Sequence, residues 1–245
     1  MKLTIKSYST DGSSLSPDRY SQIKSVYEMC ESLGSRLVSY RDIQDEAVAN
    51  RIFGSAKADS VIRTIFPLLK KIGFVDYPEN QEFSANSFFT NLGKSFIKTL
   101  IALEKAEELE NKEAVTKIDK ARQYHLLLGI DNLSKSEYRN HNILLALEIL
   151  KREKIIYWNE LLFFLYKLQS GVSLSDAIME AKSNRLKNET YEYVSLKGTP
   201  IANTAYSYVR SFLIEAGIIP NSKGMFSKLN IDTLKFIESI PPYEY

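Results

Sequence analysis

The chain holds a single cysteine, Cys30, and two histidines, His125 and His141. One thiol cannot close an internal disulfide, and three such ligands scattered along the sequence cannot build a Cys/His zinc site. Glycine, at 10, and proline, at 7, are scarce in 245 residues, so the turn formers that a many-stranded sheet needs are in short supply. An excess of one charge is missing too. Lys and Arg number 32 against 30 Asp and Glu, which leaves no global field to attract nucleic acid or a membrane surface. No apolar run reaches the roughly 18 to 20 residues of a membrane helix, the nearest being Ile155 to Leu168, broken by Asn159, Glu160 and Lys167. The start, MKLTIKSYSTDGSS, soon turns polar and lacks the roughly 7 to 15 apolar residues of a signal peptide. A cytoplasmic chain without membrane association is expected.

What the chain has is aromatic mass, 15 Tyr and 12 Phe, together with apolar positions three and four residues apart. Large side chains at the helical period favour helices joined by short connections. Tyr20, Ile23, Val26, Tyr27, Cys30 and Leu33 mark a helix over 17–33, opened by Ser16-Pro17 and closed by Gly34. A second is predicted over 39–52 and a third over 58–72, although Pro67 inside the third would kink it. Phe74-Val75-Asp76-Tyr77, a Pro/Asn-rich stretch and Phe83 to Phe89 then read as a small hairpin, followed by a capped helix from Thr90.

The same order recurs in the second half, with helices over 140–154, 158–168 and 203–216, then apolar Ile218-Ile219, a turn at 220–224, Met225 to Leu229, and a closing helix over 231–240. The two strings Leu68-Leu69-Lys70-Lys71-Ile72-Gly73-Phe74-Val75 and Phe212-Leu213-Ile214-Glu215-Ala216-Gly217-Ile218-Ile219 carry the repeat, a degenerate internal duplication of about 150 residues. The expected fold is mainly α with small β-hairpin wings: tandem winged-helix (helix-turn-helix) domains joined by a helical segment. Domain boundaries are predicted at 1–95 for the first, 96–134 for a charged helical connector and 135–245 for the second, with an inserted helix at 173–188. Between Glu104 and Glu113 five glutamates face two lysines, the pattern of a solvated connecting helix.

A winged helix places its third helix in the DNA major groove and its wing against phosphates. The outward residues of the first third helix are Lys57, Asp59, Ser60, Arg63, Thr64 and Lys70. Those of the second are Asn203, Thr204, Ser207 and Arg210, flanked by Lys197 and the wing lysines Lys223 and Lys228. Arg63 and Arg210 have the planar fork that suits guanine and Asn203 the amide that suits adenine, whereas Ser60, Thr64, Thr204 and Ser207 are short enough to let a helix approach phosphates. Double-stranded DNA is therefore the expected partner.

Ile5-Lys6-Ser7-Tyr8, the helix end Lys71-Ile72-Gly73-Phe74-Val75-Asp76-Tyr77 and Phe88-Phe89-Thr90-Asn91-Leu92-Gly93-Lys94 resemble the recognition half of type IIS restriction endonucleases of the FokI kind. The resemblance implies consecutive helix-turn-helix and winged-helix subdomains that read DNA. No counterpart of that family's cleavage domain appears up to Tyr245, so it further implies a target-recognition subunit of a restriction or phage-defence system, with the catalytic or ATPase activity on a partner chain. The contrasting expectation is an architectural winged-helix subunit that grips a protein partner in an SMC/kleisin-type complex.

Catalytic motifs are absent from the sequence. Glu180-Ala181-Lys182 and Glu110-Asn111-Lys112 match the E-x-K string of metal-dependent nucleases and Pro17-Asp18 its PD, but all lie at helical period, where i and i+2 point apart. Cys30 falls on an inner helix face, His125 within an apolar run, and no GxxxxGK[ST], GxGxxG or GxSxG string occurs. Neither a catalytic site nor a cofactor is expected. The stripe Trp158, Leu161, Leu162, Phe164 and Leu165 is too wide for one helix face and reads as core or as a partner surface.

Overall fold

A computed structural model describes residues 2–6, 15–54, 58–195, 197–200, 206–222 and 224–243, apart from the side chains of 58–63. The chain is 63% helix and 10% strand, mainly α as expected. It forms two compact units, Gly12–Tyr138 and a second composed of Met1–Asp11 with Arg139–Tyr245. The first strand, β1 (Lys2–Lys6), thus belongs to the second unit.

The N-terminal unit opens with α1 (Pro17–Leu33). Ser16 caps it in an extended conformation, accepting from the Arg19 N–H, Pro17 occupies the first turn, and Gly34 ends it at φ +60°. Strand β2 (Leu37–Val38) leads into α2 (Tyr40–Ala49). Ser39 and Asp42 form a reciprocal capping box there: the Asp42 N–H donates to Ser39 Oγ at 3.2 Å and the Ser39 N–H to Asp42 Oδ2 at 2.7 Å. Next come α3 (Ala58–Lys71), which continues through Pro67, and β3 (Phe83–Ser84), which pairs antiparallel with β2. The unit closes with α4 (Asn91–Glu108) and α5 (Lys112–Lys135). Ile23, Val26, Ile43, Phe66, Leu69, Ile72, Phe74, Phe88 and Phe96, each 1% exposed or less, make its core. Burial of such a side chain contributes about 1.5 to 3 kcal/mol.

The structure corrects the expectation of a solvated connector over 96–134. Helices α4 and α5 turn on each other at 109–111 and pack into the unit that precedes them. Ile97, Leu126, Ile130 and Leu133 are fully buried. Gly129 lets α5 lie so close that a Cβ there would stand 3.1 Å from Ile72 Cβ and 3.3 Å from Phe74 Cε1. Arg122, 7% exposed, donates to the Tyr20 hydroxyl at 2.9 Å. The acidic residues occupy the opposite face, which is why composition alone suggests a free helix.

In the second unit, α6 (Asn142–Glu153) ends on Lys154 in the left-handed conformation at φ 59°. Strand β4 (Ile155–Tyr157) and a 3-10 turn lead to α7 (Leu161–Gln169) and α8 (Leu174–Leu186), the inserted helix expected at 173–188. Strand β5 (Thr190–Val194) pairs in parallel with β1, in register from Lys2↔Thr190 to Lys6↔Val194. The chain continues through α9 (Ser207–Glu215), β6 (Phe226–Lys228), antiparallel to β4, and α10 (Leu234–Ser239). Most of the Trp158 stripe is core: Trp158, Leu161, Leu162 and Phe164 are 2% exposed or less, and Leu165 is half-buried. The Trp158 indole N–H donates to Ser227 Oγ at 2.9 Å, both groups being buried. Ser227→Ala strands that donor and is expected to cost about 1 to 3 kcal/mol. A lower urea midpoint at unchanged slope, followed by the fluorescence of Trp158, measures it.

One backbone scheme occurs in both units. The Gly73 N–H donates to Lys70 O and the Phe74 N–H to Leu69 O; the Gly217 N–H donates to Ile214 O and the Ile218 N–H to Leu213 O. Gly73 and Gly217 stand at φ +77° and +71°, a conformation that favours glycine. Further on, the Thr90 N–H donates to Phe74 O and its Oγ1 to Gly73 O, while the Asn230 N–H donates to Ile218 O and its Nδ2 to Gly217 O. The ends of the first helices match as well: Gly34 O accepts from the Asn86 N–H and Lys154 O from the Leu229 N–H. Each hairpin differs from expectation in where it pairs. Its second strand lies on β2 or β4, the strand after the first helix, and among the described residues the two hairpin arms meet through isolated bonds such as the Val75↔Phe89 bridge.

Candidate nucleic-acid interface

The expected reading residues fare unequally. Lys57, Asn203, Thr204 and Lys223 lie outside the described residues; Ser60 and Arg63 are on α3, but their side chains are not among those described. Thr64 is half-buried on α3, Ser207 is exposed at the start of α9, and Lys228 is exposed on β6.

Arg210 requires a correction. Its guanidinium donates to the carbonyl oxygens of Ser222 and, at 3.0 Å, Gly224, and lies 5.8 Å from the Trp158 ring centroid. The fork expected to face a guanine is occupied in holding the hairpin turn onto α9. Lys70 also departs from the outer face. Its Nζ rests 4.4 Å from the centroid of the Tyr77 ring, inside a cleft of the N-terminal unit.

That cleft encloses ≈ 500 Å³ between Tyr40 and Gln44 of α2, Pro67, Lys70 and Lys71 of α3, Tyr77 and Glu79 of the following loop, and Tyr138. The Tyr40 and Tyr77 rings stack with centroids 4.1 Å apart and planes 8° from parallel. Burial raises the Tyr77 hydroxyl far above its ordinary range, with the nearby Tyr40 and Glu79 adding to the effect. Burial raises Tyr40 too, opposed by hydrogen bonds from Tyr77 and Gln44. Lys71 Nζ lies 5.4 Å from the Tyr138 ring centroid. Periodicity could not reveal this site, because its tyrosines come from positions 40, 77 and 138; the adjacent Lys70-Lys71 was the only local signal.

No protein family, curated protein or solved structure matches this chain.

The groups considered for chemistry occupy structural places. Cys30 is 1% exposed, and burial, with Glu31 beside it, pushes its thiol up to about 12. Native-state alkylation is therefore expected to stay slow up to pH 10 and to become fast on adding denaturant, which timed iodoacetamide labelling followed by mass spectrometry measures. Thr99 Oγ1 lies 3.3 Å from His125 Nδ1, and burial lowers the imidazole's proton affinity. His141 caps α6, accepting from the Ile143 N–H. In the E-x-K string on α8, Glu180 pairs with Lys167 and Lys182 with Glu153, each at 2.6 Å, so the two side chains serve different partners. Among the described residues no group of three or more His, Cys, Asp or Glu could hold a metal ion, and no helix is long and apolar enough to cross a membrane.

Proposed function

We propose that the chain binds double-stranded DNA through two winged-helix domains and acts as the target-recognition subunit of a restriction or phage-defence system, with catalysis on another chain. The observation that supports the DNA reading is the backbone scheme present in both units: a helix closed by a glycine at positive φ, a loop, and a strand returned onto the first helix–strand connection. In a winged helix the element before that glycine is the reading helix, here α3 and α9. Arg63 on α3 is the residue assigned to base contact, with Ser60 and Thr64 allowing close approach and Lys57 and Lys228 assigned to phosphates. Assignment to a restriction or defence system rests on the resemblance to the FokI-type recognition half.

The test is a salt-dependent titration of DNA duplexes. Arg63→Ala is expected to lose about 1 to 3 kcal/mol of discrimination between sites. Lys228→Ala is expected to weaken all duplexes alike and to reduce the salt slope by about 1. Absence of duplex binding at low salt overturns the proposal.

A second reading, a protein-gripping winged helix of the SMC/kleisin type, is favoured by one observation on the second hairpin. Met225 and Phe226 are 69% and 45% exposed there, adjacent apolar side chains suited to a protein surface. Under this reading Phe226→Asp abolishes partner capture and leaves duplex affinity unchanged.

A further inference from the structure

We infer that the tyrosine–lysine cleft of the N-terminal unit is a nucleotide site, in which a planar base takes the tyrosine face now covered by Lys70 and a phosphate takes the ammonium groups of Lys70 and Lys71. The volume of ≈ 500 Å³ falls within the range of small-ligand sites. Its aromatic platform is already assembled. Tyr40 lies flat on Tyr77, and the Phe88 ring stands 5.6 Å from Tyr77 and 6.3 Å from Tyr40, so a base that stacks here orders little that is not ordered already.

The lysines supply the second observation. Cations in the last turn of a helix ordinarily serve its terminal carbonyls, yet Lys70 and Lys71 hold their Nζ atoms against tyrosine rings. Among the described residues neither forms an ion pair. A phosphate offers both a charge-assisted hydrogen bond, stronger than a ring face near solvent, and the movement of Lys70 toward it uncovers the Tyr77 face for the base. Gln44, on the cleft wall, is hydrogen-bonded to Tyr40, and its amide retains a donor and an acceptor suited to a base edge. Glu79 also lines the cleft, so one carboxylate stands against two ammonium groups. That balance suits a monophosphate and disfavours a triphosphate.

A nucleotide of this kind is either free or the unpaired end of a DNA strand, and two arms of one experiment separate the sources. Calorimetric titration of the full chain with adenosine and thymidine 5′-monophosphates is compared with titration by a DNA hairpin bearing a one-nucleotide 5′-phosphorylated overhang and by its blunt counterpart. Saturable binding of the monophosphates points to a free effector, and preference for the overhang over the blunt hairpin points to a strand end. In either arm the Lys70→Gln, Lys71→Gln double variant, which leaves the Tyr40–Tyr77 stack in place, is expected to weaken binding at least tenfold. Gln44→Leu is expected to alter the preference between the two bases. The inference is overturned if neither arm binds, if the lysine variant binds as wild type does, or if inorganic phosphate or a phosphotyrosine peptide binds as tightly as the nucleotides. The monophosphate arm contains no duplex, so its failure leaves the duplex-binding proposal standing.

Discussion

Alanine at position 93 is expected to destabilise the N-terminal unit by about 3 kcal/mol or more, among the larger effects of a single added methyl group. Gly93 lies in the first turn of α4, and a Cβ there would stand 1.9 Å from the carbonyl oxygen of Phe74 and 2.8 Å from its carbonyl carbon. That oxygen cannot move aside cheaply. It accepts from the Thr90 N–H at 3.1 Å, while Thr90 Oγ1 donates to Gly73 O at 2.7 Å and accepts from the Gly93 N–H at 3.1 Å. Retreat of the Phe74 backbone would break the cap of α4 and shift a ring that is 1% exposed and packed at a tilt against Phe96, with centroids 4.8 Å apart. Space, not backbone conformation, sets the size of the effect. Gly34 provides the contrast: it stands at φ +60° and ψ −128°, and a Cβ added there would meet nothing within 4 Å, so Gly34→Ala is expected to cost about 1 to 2 kcal/mol, through backbone strain alone. Urea unfolding followed by far-ultraviolet circular dichroism measures both; equal midpoints for the two variants would refute the close-approach account.

The same residues illustrate what a sequence can and cannot convey. Thr90-Asn91-Leu92-Gly93 is readable as a helix cap, because capping is local chemistry, and so are Ser16-Pro17 with Gly34 and the glycines at 73 and 217. Gly93's closeness to Phe74 is not readable, since it depends on two segments meeting. Periodicity identifies the buried face of a helix but not the partner it is buried against. The connector 96–134 therefore looks free although its apolar face closes the first core. The pairing of β1 with β5 escapes detection for the same reason, its partners being separated by most of the chain. At the candidate site, residue type suggests that Arg210 would read a base, and only the carbonyls of Ser222 and Gly224 reveal where its donors go. The tyrosine–lysine cleft lies beyond any local pattern.

Removal of the Arg185 side-chain charge is expected to have a second large effect, confined to the C-terminal unit. Glu160, 2% exposed at the start of α7, has its carboxylate 2.5 Å from Arg185 Nη1 near the end of α8, and the guanidinium also lies 4.2 Å from the Tyr157 ring centroid. Burial raises the Glu160 carboxyl above its ordinary range, and the positive charge and hydrogen bond of Arg185 oppose that rise. Arg185→Met keeps the apolar stem but leaves a carboxylate with neither water nor counter-ion, so it is expected to cost about 3 kcal/mol at pH 7. The sign of its pH dependence follows from the direction of the shift. A carboxyl whose proton affinity is higher in the fold stabilises the fold below its ordinary value of about 4.3 and loses that contribution as pH rises through the raised value. Without Arg185 the carboxyl is raised further, so the deficit of the variant is expected to shrink as pH falls toward 4 and to grow toward neutrality. Glu160→Gln added to Arg185→Met removes the charge altogether and is expected to restore part of the stability at pH 7 and little at pH 4. Urea midpoints read from Trp158 fluorescence for the single and double variants at both pH values measure this, and a deficit independent of pH would show that Arg185 acts there by packing alone.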